Sequence, residues 1–345
     1  ARIVHNRRFP LEALIVPQIL VQELSKSYLV SEREAGAWGA VKGLVRRRRR
    51  VIEALKGISF SLERGELLGF IGPNGAGKST TIKILSGILR QSSGRCEVQG
   101  LVPWRDRIQH VARIGVVFGQ RTQLWWDLPV IEGFELLRDI YRVEEAEYRK
   151  SLDAMVSLMR LERLLDQPVR QLSLGQRMRC EIAAAMLHRP EILFLDEPTI
   201  GLDAPSKLAV REFVGTLNRE AGVTVILTTH DMHDIEALAQ RVIVIGNGVI
   251  MADTSFERLR AEVLTERRLL IDFAGKAPAL EIPGVRVRSC EGNSIELEFD
   301  PRQVPAPELI GRITAEHDLL DFHLEQPRIE EVIAHFYKLH GATEA

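Results

Sequence analysis

The 345-residue sequence predicts an α/β fold, a parallel sheet flanked by helices, with a small α+β domain behind it. Three observations carry this. From Val111 to His230, the apolar runs "IGVVFG", "EILFLDEP" and "VTVILTTH" alternate with helical stretches, the pattern of strands paired in parallel. A buried-strand run (Leu67, Leu68, Phe70, Ile71) passes through a glycine-rich turn into a helical pattern over Thr81 to Leu89, with Ile82, Ile84, Leu85 and Leu89 as its apolar members. Beyond about Asp253 the texture changes to strict alternation of apolar and charged residues, the mark of strands with one solvated face.

Each element follows in order. Residues 1–17 form an extension, and "PQILVQELSKSYLV" (17–30) reads as an opening strand. An insertion over 31–50 interrupts it before "VIEALKGISFSLERGELLGFIG" returns to strand-and-turn patterning. A helical block runs from about Val130 to Leu165, within a helical subdomain at about 127–180. "RVIVIGNGVI" predicts a hairpin around Gly246-Asn247-Gly248. The main domain therefore spans 18–255 and an accessory domain 256–345. In the latter, "LLIDF", "VRVRS" and "SIELEFD" are strands: Ile295, Leu297 and Phe299 face one way, Glu296 and Glu298 the other. A helix from about Pro307 to His317, the strand "LDFHLEQ" and a helix with Ile329, Val332, Ile333 and Phe336 at i, i+3, i+4, i+7 complete it.

Composition is that of a globular protein, 45% hydrophobic and 27% charged, with a net charge of −1 that gives no reason to expect nucleic acid as a partner. The charge is uneven, since residues 1–50 hold 11 Lys/Arg against 4 Asp/Glu. Three scattered cysteines, Cys96, Cys180 and Cys290, have neither metal spacing nor an even disulfide set, which points to a reducing compartment. No apolar run approaches the roughly 20 residues that span a bilayer, and the first residues show no signal-peptide core. The expectation is a soluble chain, which leaves open work at a membrane through partners.

The turn "GPNGAGKST" (72–80) fits G-x-x-x-x-G-K-[ST], the Walker A loop. Side-chain-free backbone lets N–H groups converge on phosphate oxygens, and the positive end of the following helix reinforces them. Gly72, Pro73, Asn74, Gly75, Ala76, Gly77, Lys78, Ser79 and Thr80 are thus the candidate ATP-binding residues, with Lys78 reaching the β- and γ-phosphates and Ser79 holding Mg²⁺. "ILFLDEP" places Asp196 and Glu197 at the carboxyl end of a strand, where α/β sheets bind ligands. Asp196 is positioned to hold Mg²⁺ through water, and Glu197 to orient or deprotonate the attacking water.

The stretch "RQLSLGQRMRCEIAAAMLHRPEILFLDEPTIGLD" resembles the signature motif, Walker B and D-loop of ABC-type ATPases, and the resemblance covers roughly residues 18–255. It implies a parallel core sheet with an antiparallel β subdomain and a helical subdomain, hydrolysis of Mg·ATP, and a homodimer in which the signature of one chain completes the site of the other. It also implies that Gln120, in "VVFGQRTQ", touches Mg²⁺ and the water, and that His230, after "LTT", is the switch histidine. Ser173, Gly175 and Gln176 of the signature and Asp203 of the D-loop would act in trans. Tyr28 sits where the family stacks an aromatic on adenine, although 50 residues before Lys78; a core tyrosine is the rival reading. One departure is Leu174, where the family usually has glycine.

By the same resemblance, integral membrane permease subunits are the expected partners, with the chain peripheral on the cytoplasmic face of the membrane. The C-terminal domain resembles that of the exporter branch; a non-transport ATPase acting on ribosome or DNA, and an importer ATPase with a regulatory tail, are the alternatives. Trp125 and Trp126, just after Gln120, suit a groove for the permease's coupling helix; a partner role is expected of one of the two, the rival reading being that at least one is core of the helical subdomain. The insertion has two open readings. Trp38, Val41 and Val45 at i, i+3, i+7 beside Arg46–Arg50 suit an anionic membrane surface. Gly36, Gly39 and Gly43 argue instead for a solvated basic loop.

Overall fold

The computed structural model describes residues 17–31, 49–119, 121–229, 231–263, 266–325 and 336–337. Gln120, His230, Trp38, Val41, Val45, Arg46–Arg48, Ile329, Val332 and Ile333 lie outside the described residues. The chain forms two compact units. One is built on the described residues up to Asp231 together with Ile243–Ile250, the other on Met232–Val242 and the described residues from Met251 onward.

The first unit opens with two long strands, β1 (Ile19–Ser31) and β2 (Arg49–Leu62), followed by β3 (Leu67–Ile71), α1 (Lys78–Leu85), β4 (Ser93–Val98), α2 (Arg107–Val111) and β5 (Ile114–Phe118). Two helices follow, α3 (Val130–Tyr141) and α4 (Glu145–Met159), then α5 (Leu174–Met186), β6 (Ile192–Asp196), α6 (Ala204–Ala221) and β7 (Thr224–Thr228). Past α7 (Met232–Leu238), the strands β8 (Arg241–Gly246) and β9 (Val249–Ser255) finish a six-stranded sheet of order β5-β6-β7-β3-β8-β9. Its pairs β5–β6, β6–β7 and β7–β3 are parallel. Strands β3, β6 and β7 are buried at every residue, as continuous apolar runs in a sheet covered on both faces should be. A separate antiparallel sheet, β2-β1-β4, supplies Ile19, Val21, Leu24, Leu55, Ile58 and Leu62 to the same core as Leu68, Phe70 and Ile82.

The hairpin falls where the sequence predicts it: Asn247 (φ 49°) and Gly248 (φ 81°) are both left-handed, as a two-residue turn between twisted strands requires. The single helical block expected over 130–165 is two helices. The chain leaves α3 at Arg142 in the left-handed conformation, and Val143 N–H turns back onto the Arg138 carbonyl. The last two arginines of the basic run belong to strand β2, where Arg50 pairs with Val30.

The second unit includes α7 and carries α8 (Phe256–Val263), β10 (Arg267–Phe273), β11 (Val285–Glu291), β12 (Ser294–Phe299), α9 (Ala306–Glu316) and β13 (Leu319–Glu325). Its antiparallel sheet has the order β11-β12-β10-β13. Ile295, Leu297 and Phe299 are buried with Leu269, Ile271 and Phe273 against Leu309 and Ile313 of α9, while Glu296 and Glu298 face out. Among the described residues, no helix is long and apolar enough to cross a membrane.

Candidate active site

The sheet register assembles the site. Phe118 on β5 is opposite Asp196 on β6, Asp196 is opposite Thr228 on β7, and Thr228 is opposite Phe70 at the end of β3. Four strands therefore deliver their carboxyl ends side by side, and the glycine-rich loop leaves from one of them. A cleft of about 430 Å³ opens there, lined by Asn74, Ser79, Lys83, Phe118, Gly119, Arg121, Asp196 and Glu197.

The loop is held by close packing that only glycine permits. A Cβ on Gly72 would stand 2.5 Å from the Ile245 carbonyl oxygen. One on Gly77, whose φ is 113°, would stand 2.7 Å from Leu55 Cδ2 and 2.8 Å from the Ala54 carbonyl. Gly77 is also the N-cap of α1, with no side-chain cap and no acidic residue in the first turn, so the helix start offers its N–H groups to an anion. Lys78 is 5% exposed, and its Nζ donates to the carbonyls of Gly72 (2.6 Å) and Pro73 (3.1 Å). Burial pulls its pKa down, and the carboxylates of Glu197 and Asp196 oppose that pull. The loop thus wraps its own ammonium, with the two acids of the cleft completing the charge balance.

Ser79 Oγ donates to Asp196 Oδ1 at 3.1 Å, and the Thr228 hydroxyl donates to the same oxygen at 2.6 Å. A serine hydroxyl beside a carboxylate at a phosphate loop is the hard-oxygen donor set that suits Mg²⁺, which keeps several waters and borrows the rest of its shell from phosphates. Glu197 carries a φ of 56°, a left-handed conformation that costs a non-glycine residue on the order of 1 kcal/mol. Two bonds hold it there: its N–H donates to the Thr228 carbonyl (2.9 Å) and lies 3.2 Å from Thr228 Oγ1. Across the cleft, Gly119 N–H donates to the Asp196 carbonyl (2.8 Å), and a Cβ on Gly119 would lie 2.0 Å from the Glu197 carbonyl oxygen. That approach brings the loop leading to Gln120 against the acidic pair.

Both neighbours of His230 are described. Thr229 is buried, and its Oγ1 accepts from Asp231 N–H (2.9 Å), while the Asp231 carboxylate pairs with Lys207 and Arg211 of α6. The signature lies elsewhere, and none of its residues lines the cleft. Ser173 caps α5 in a closed box, its Oγ accepting from Gln176 N–H (3.2 Å) and its own N–H donating to Gln176 Oε1 (2.8 Å). Gly175 packs on Ser206, where a Cβ would meet Ser206 Oγ at 2.2 Å. Asp203 caps α6 through Ser206 N–H, and bonding to Ser206 holds its carboxyl below the usual range. The departing Leu174 covers Gly201: a Cβ there would be 3.0 Å from Leu174 Cδ2.

Tyr28 is half-buried on β1, opposite Ile52, with Lys26 Nζ 5.2 Å from its ring centroid, and it does not line the cleft. Trp125 and Trp126 are both exposed, the second under the Arg177 guanidinium at 5.5 Å. Sequence reasoning missed Thr228, whose only signal is its place two residues before His230. It also missed Glu181 of α5, a buried carboxylate whose pKa burial pushes up and whose bonds to Thr122, Gln123 and Leu124 pull back.

The chain is similar to known proteins in sequence and in fold. Residues 55–200 match the family model described as ABC transporter. The chain is 32% identical over 298 residues to the linearmycin resistance ATP-binding protein of Bacillus subtilis (strain 168), covering 84% of this chain and 94% of that protein. It is 32% identical over 294 residues to a daunorubicin resistance ATP-binding protein of Streptomyces coeruleorubidus, covering 82% and 90%. An ATP-binding cassette solved as a dimer in a post-hydrolysis state, bound to ADP and Pi, superposes with a TM-score of 0.57 at 27% identity, over 69% of this chain and 98% of that one. This chain belongs to the ATP-binding proteins of ABC transporters, ATPases that take ATP with Mg²⁺.

Proposed function

We propose that this chain works as a homodimer on the cytoplasmic face of a membrane, hydrolysing ATP to drive export through separate permease subunits. The observation that carries the mechanism is the meeting of Lys78, Ser79, Asp196, Thr228 and Glu197 around one cleft. Gly72 to Thr80 cradle the phosphates, and Lys78 exchanges its loop carbonyls for phosphate oxygens. Ser79 and Asp196, with Gln120, would hold Mg²⁺, which when bound neutralises phosphoryl charge. Thr228 orients the Asp196 carboxylate. Glu197, tethered by its own backbone, orients or takes the proton of the attacking water, and His230 and Gln120 assist it. Tyr28 stacks on adenine. Ser173, Gly175, Gln176 and Asp203, which lie outside the cleft of their own chain, serve the facing copy. The dimeric cassette with ADP and Pi supports that arrangement, and the resistance functions named for the two relatives support export.

The test is gentle detergent extraction of native membranes, capture on this chain and identification of what accompanies it. Multi-span membrane proteins are expected; ribosomal or DNA-bound partners with no membrane protein would overturn the transport reading. Direction is read by reconstituting the complex and asking which side loses substrate on adding Mg·ATP. The basic run Arg46–Arg50 meets anionic headgroups; the exposed Leu29, Val30, Val51 and Ile52 lie beside its last two arginines, Arg49 and Arg50, on the β1–β2 pair. Changing the five arginines to glutamine should then reduce flotation with phosphatidylserine vesicles, and unchanged flotation discards that contact.

A further inference from the structure

Glu181 stands two turns into α5, eight residues past Ser173 and so roughly 12 Å along the helix. It is 3% exposed, and among the described residues no lysine or arginine forms an ion pair with it. Its donors come instead from the loop that leaves the cleft after Gly119. The Thr122 hydroxyl donates to Oε1, Gln123 N–H donates to Oε2 at 3.0 Å, and Leu124 N–H lies 3.5 Å from Oε1. The Gln123 side-chain amide donates to the Glu181 carbonyl at 2.9 Å. The Arg177 charge favours the carboxylate as well, but less than these donors do, so a buried carboxylate held chiefly by donors loses most of its compensation if they move away. Loop and helix are therefore bound together by the cost of separating them.

The far end of the loop is fastened to the turn that leads into α5. Arg170 N–H donates to the Trp126 carbonyl (3.0 Å), Val169 N–H to the Leu128 carbonyl (3.1 Å), and the Arg170 guanidinium to Asp127 (2.7 Å). Arg177 of α5 covers the Trp126 ring. Residues 122–128, with two exposed tryptophans at their outer turn, form one body with the helix that begins at Ser173.

We infer that Glu181 is a positioning residue for ATP hydrolysis: it clasps the loop downstream of Gln120 to the signature helix, so that a load on Trp125–Trp126 reaches Ser173 without slack. This rests on the roles proposed above for Gln120 and Ser173. The purified full chain tests it through steady-state ATPase kinetics and amide exchange of the 121–128 segment. Glu181→Leu should lower kcat about tenfold with KM for ATP changed less than twofold, and should speed exchange in that segment at least tenfold while the core strands keep their protection. Glu181→Gln should recover most of both, since its amide can accept from Gln123 N–H and donate to Thr122 Oγ1. Thr122→Val should fall between, which keeps the test alive if the leucine variant does not fold. Wild-type kcat in Glu181→Leu, unchanged exchange, or a loss that follows a fall in global melting temperature would each overturn the clasp. Glu197→Gln run alongside separates the two claims: its full activity would sink the reading of the site, whereas the exchange result judges the clasp by itself.

Discussion

At the start of α1 the N-cap is Gly77, left-handed, uncapped by any side chain and with no acid in the first turn. At the start of α5 it is Ser173, its capping box closed with Gln176 and its first turn packed on Ser206 and Gly201. Both are helix N-termini proposed above to meet phosphate, yet the first leaves its donors unspent and the second has used part of its own. The difference follows from where the partner groups are. The α1 start sits among Asp196, Glu197 and Gly119 of its own chain and needs only the ligand. None of the described residues lining the cleft stands at the α5 start, and under the proposed in-trans role a stable cap would keep that start in shape for the phosphate of a facing copy.

The largest effect that could break this contrast is at the self-sufficient end. Glu197→Gln should lower kcat by roughly 10²–10⁴ while nucleotide binding persists, as removal of general-base help predicts; a turnover assay paired with equilibrium ATP binding checks both halves. An acid titration sharpens the view of α5 as a helix with a polar start and a dry end. At that end, burial holds the His188 pKa at about 4 against the Ile114 carbonyl bond that raises it, and the ring stacks on Tyr141 at 3.9 Å. Its folded pKa lies below its unfolded one, so the neutral form favours folding above about pH 6.5. That stability drains as pH falls toward 4, by about 3 kcal/mol at most. Urea denaturation at pH 7 and 4.5 should show the wild type losing more than His188→Phe; equal losses would place the acid sensitivity elsewhere.

Thr228→Val comes next. It removes a hydrogen bond to a charged carboxylate, a class worth about 1.5–3 kcal/mol, so Mg²⁺-dependent nucleotide affinity should fall roughly tenfold or more. Titration calorimetry with and without Mg²⁺ would detect it, and a loss independent of Mg²⁺ would refute the role given to Thr228. The smallest effect belongs to the closed cap. Ser173→Ala should cost about 1 kcal/mol of stability and Ser173→Gly only a few tenths, measured on the isolated chain. If both variants lose hydrolysis while glycine keeps stability, the hydroxyl acts on nucleotide as well as on the helix.

Much of this site was legible beforehand because its signals are short. The loop at 72–80, the acids at 196–197 and the Asn247-Gly248 turn each depend on residues within a few positions of one another. Leu174 read as an irregularity of the motif; packed over Gly201, it is a side chain with a place to go. The break at Arg142 was not legible, because no glycine or proline marks it and an arginine adopts the left-handed cap instead. Glu181 was invisible for another reason: an acid within an alanine-rich helix reads as solvated surface until its donors, 57 to 59 residues away, are known.

Local chemistry in the sequence alone determined the phosphate cradle, the capping box, the hairpin turn and the alternation of the C-terminal strands. Each follows from backbone freedom or side-chain reach over a handful of bonds. Strand order decided the rest. Only when β6 lies between β5 and β7, in the register that sets Phe118, Asp196 and Thr228 abreast, does Thr228 reach Asp196 and Gly119 admit the Glu197 carbonyl. Likewise the buried Glu181 carboxyl finds its hydrogen-bond partners because tertiary packing brings it a loop of donors. Such pairings join segments tens of residues apart, and their energy is defined by the neighbours that folding supplies.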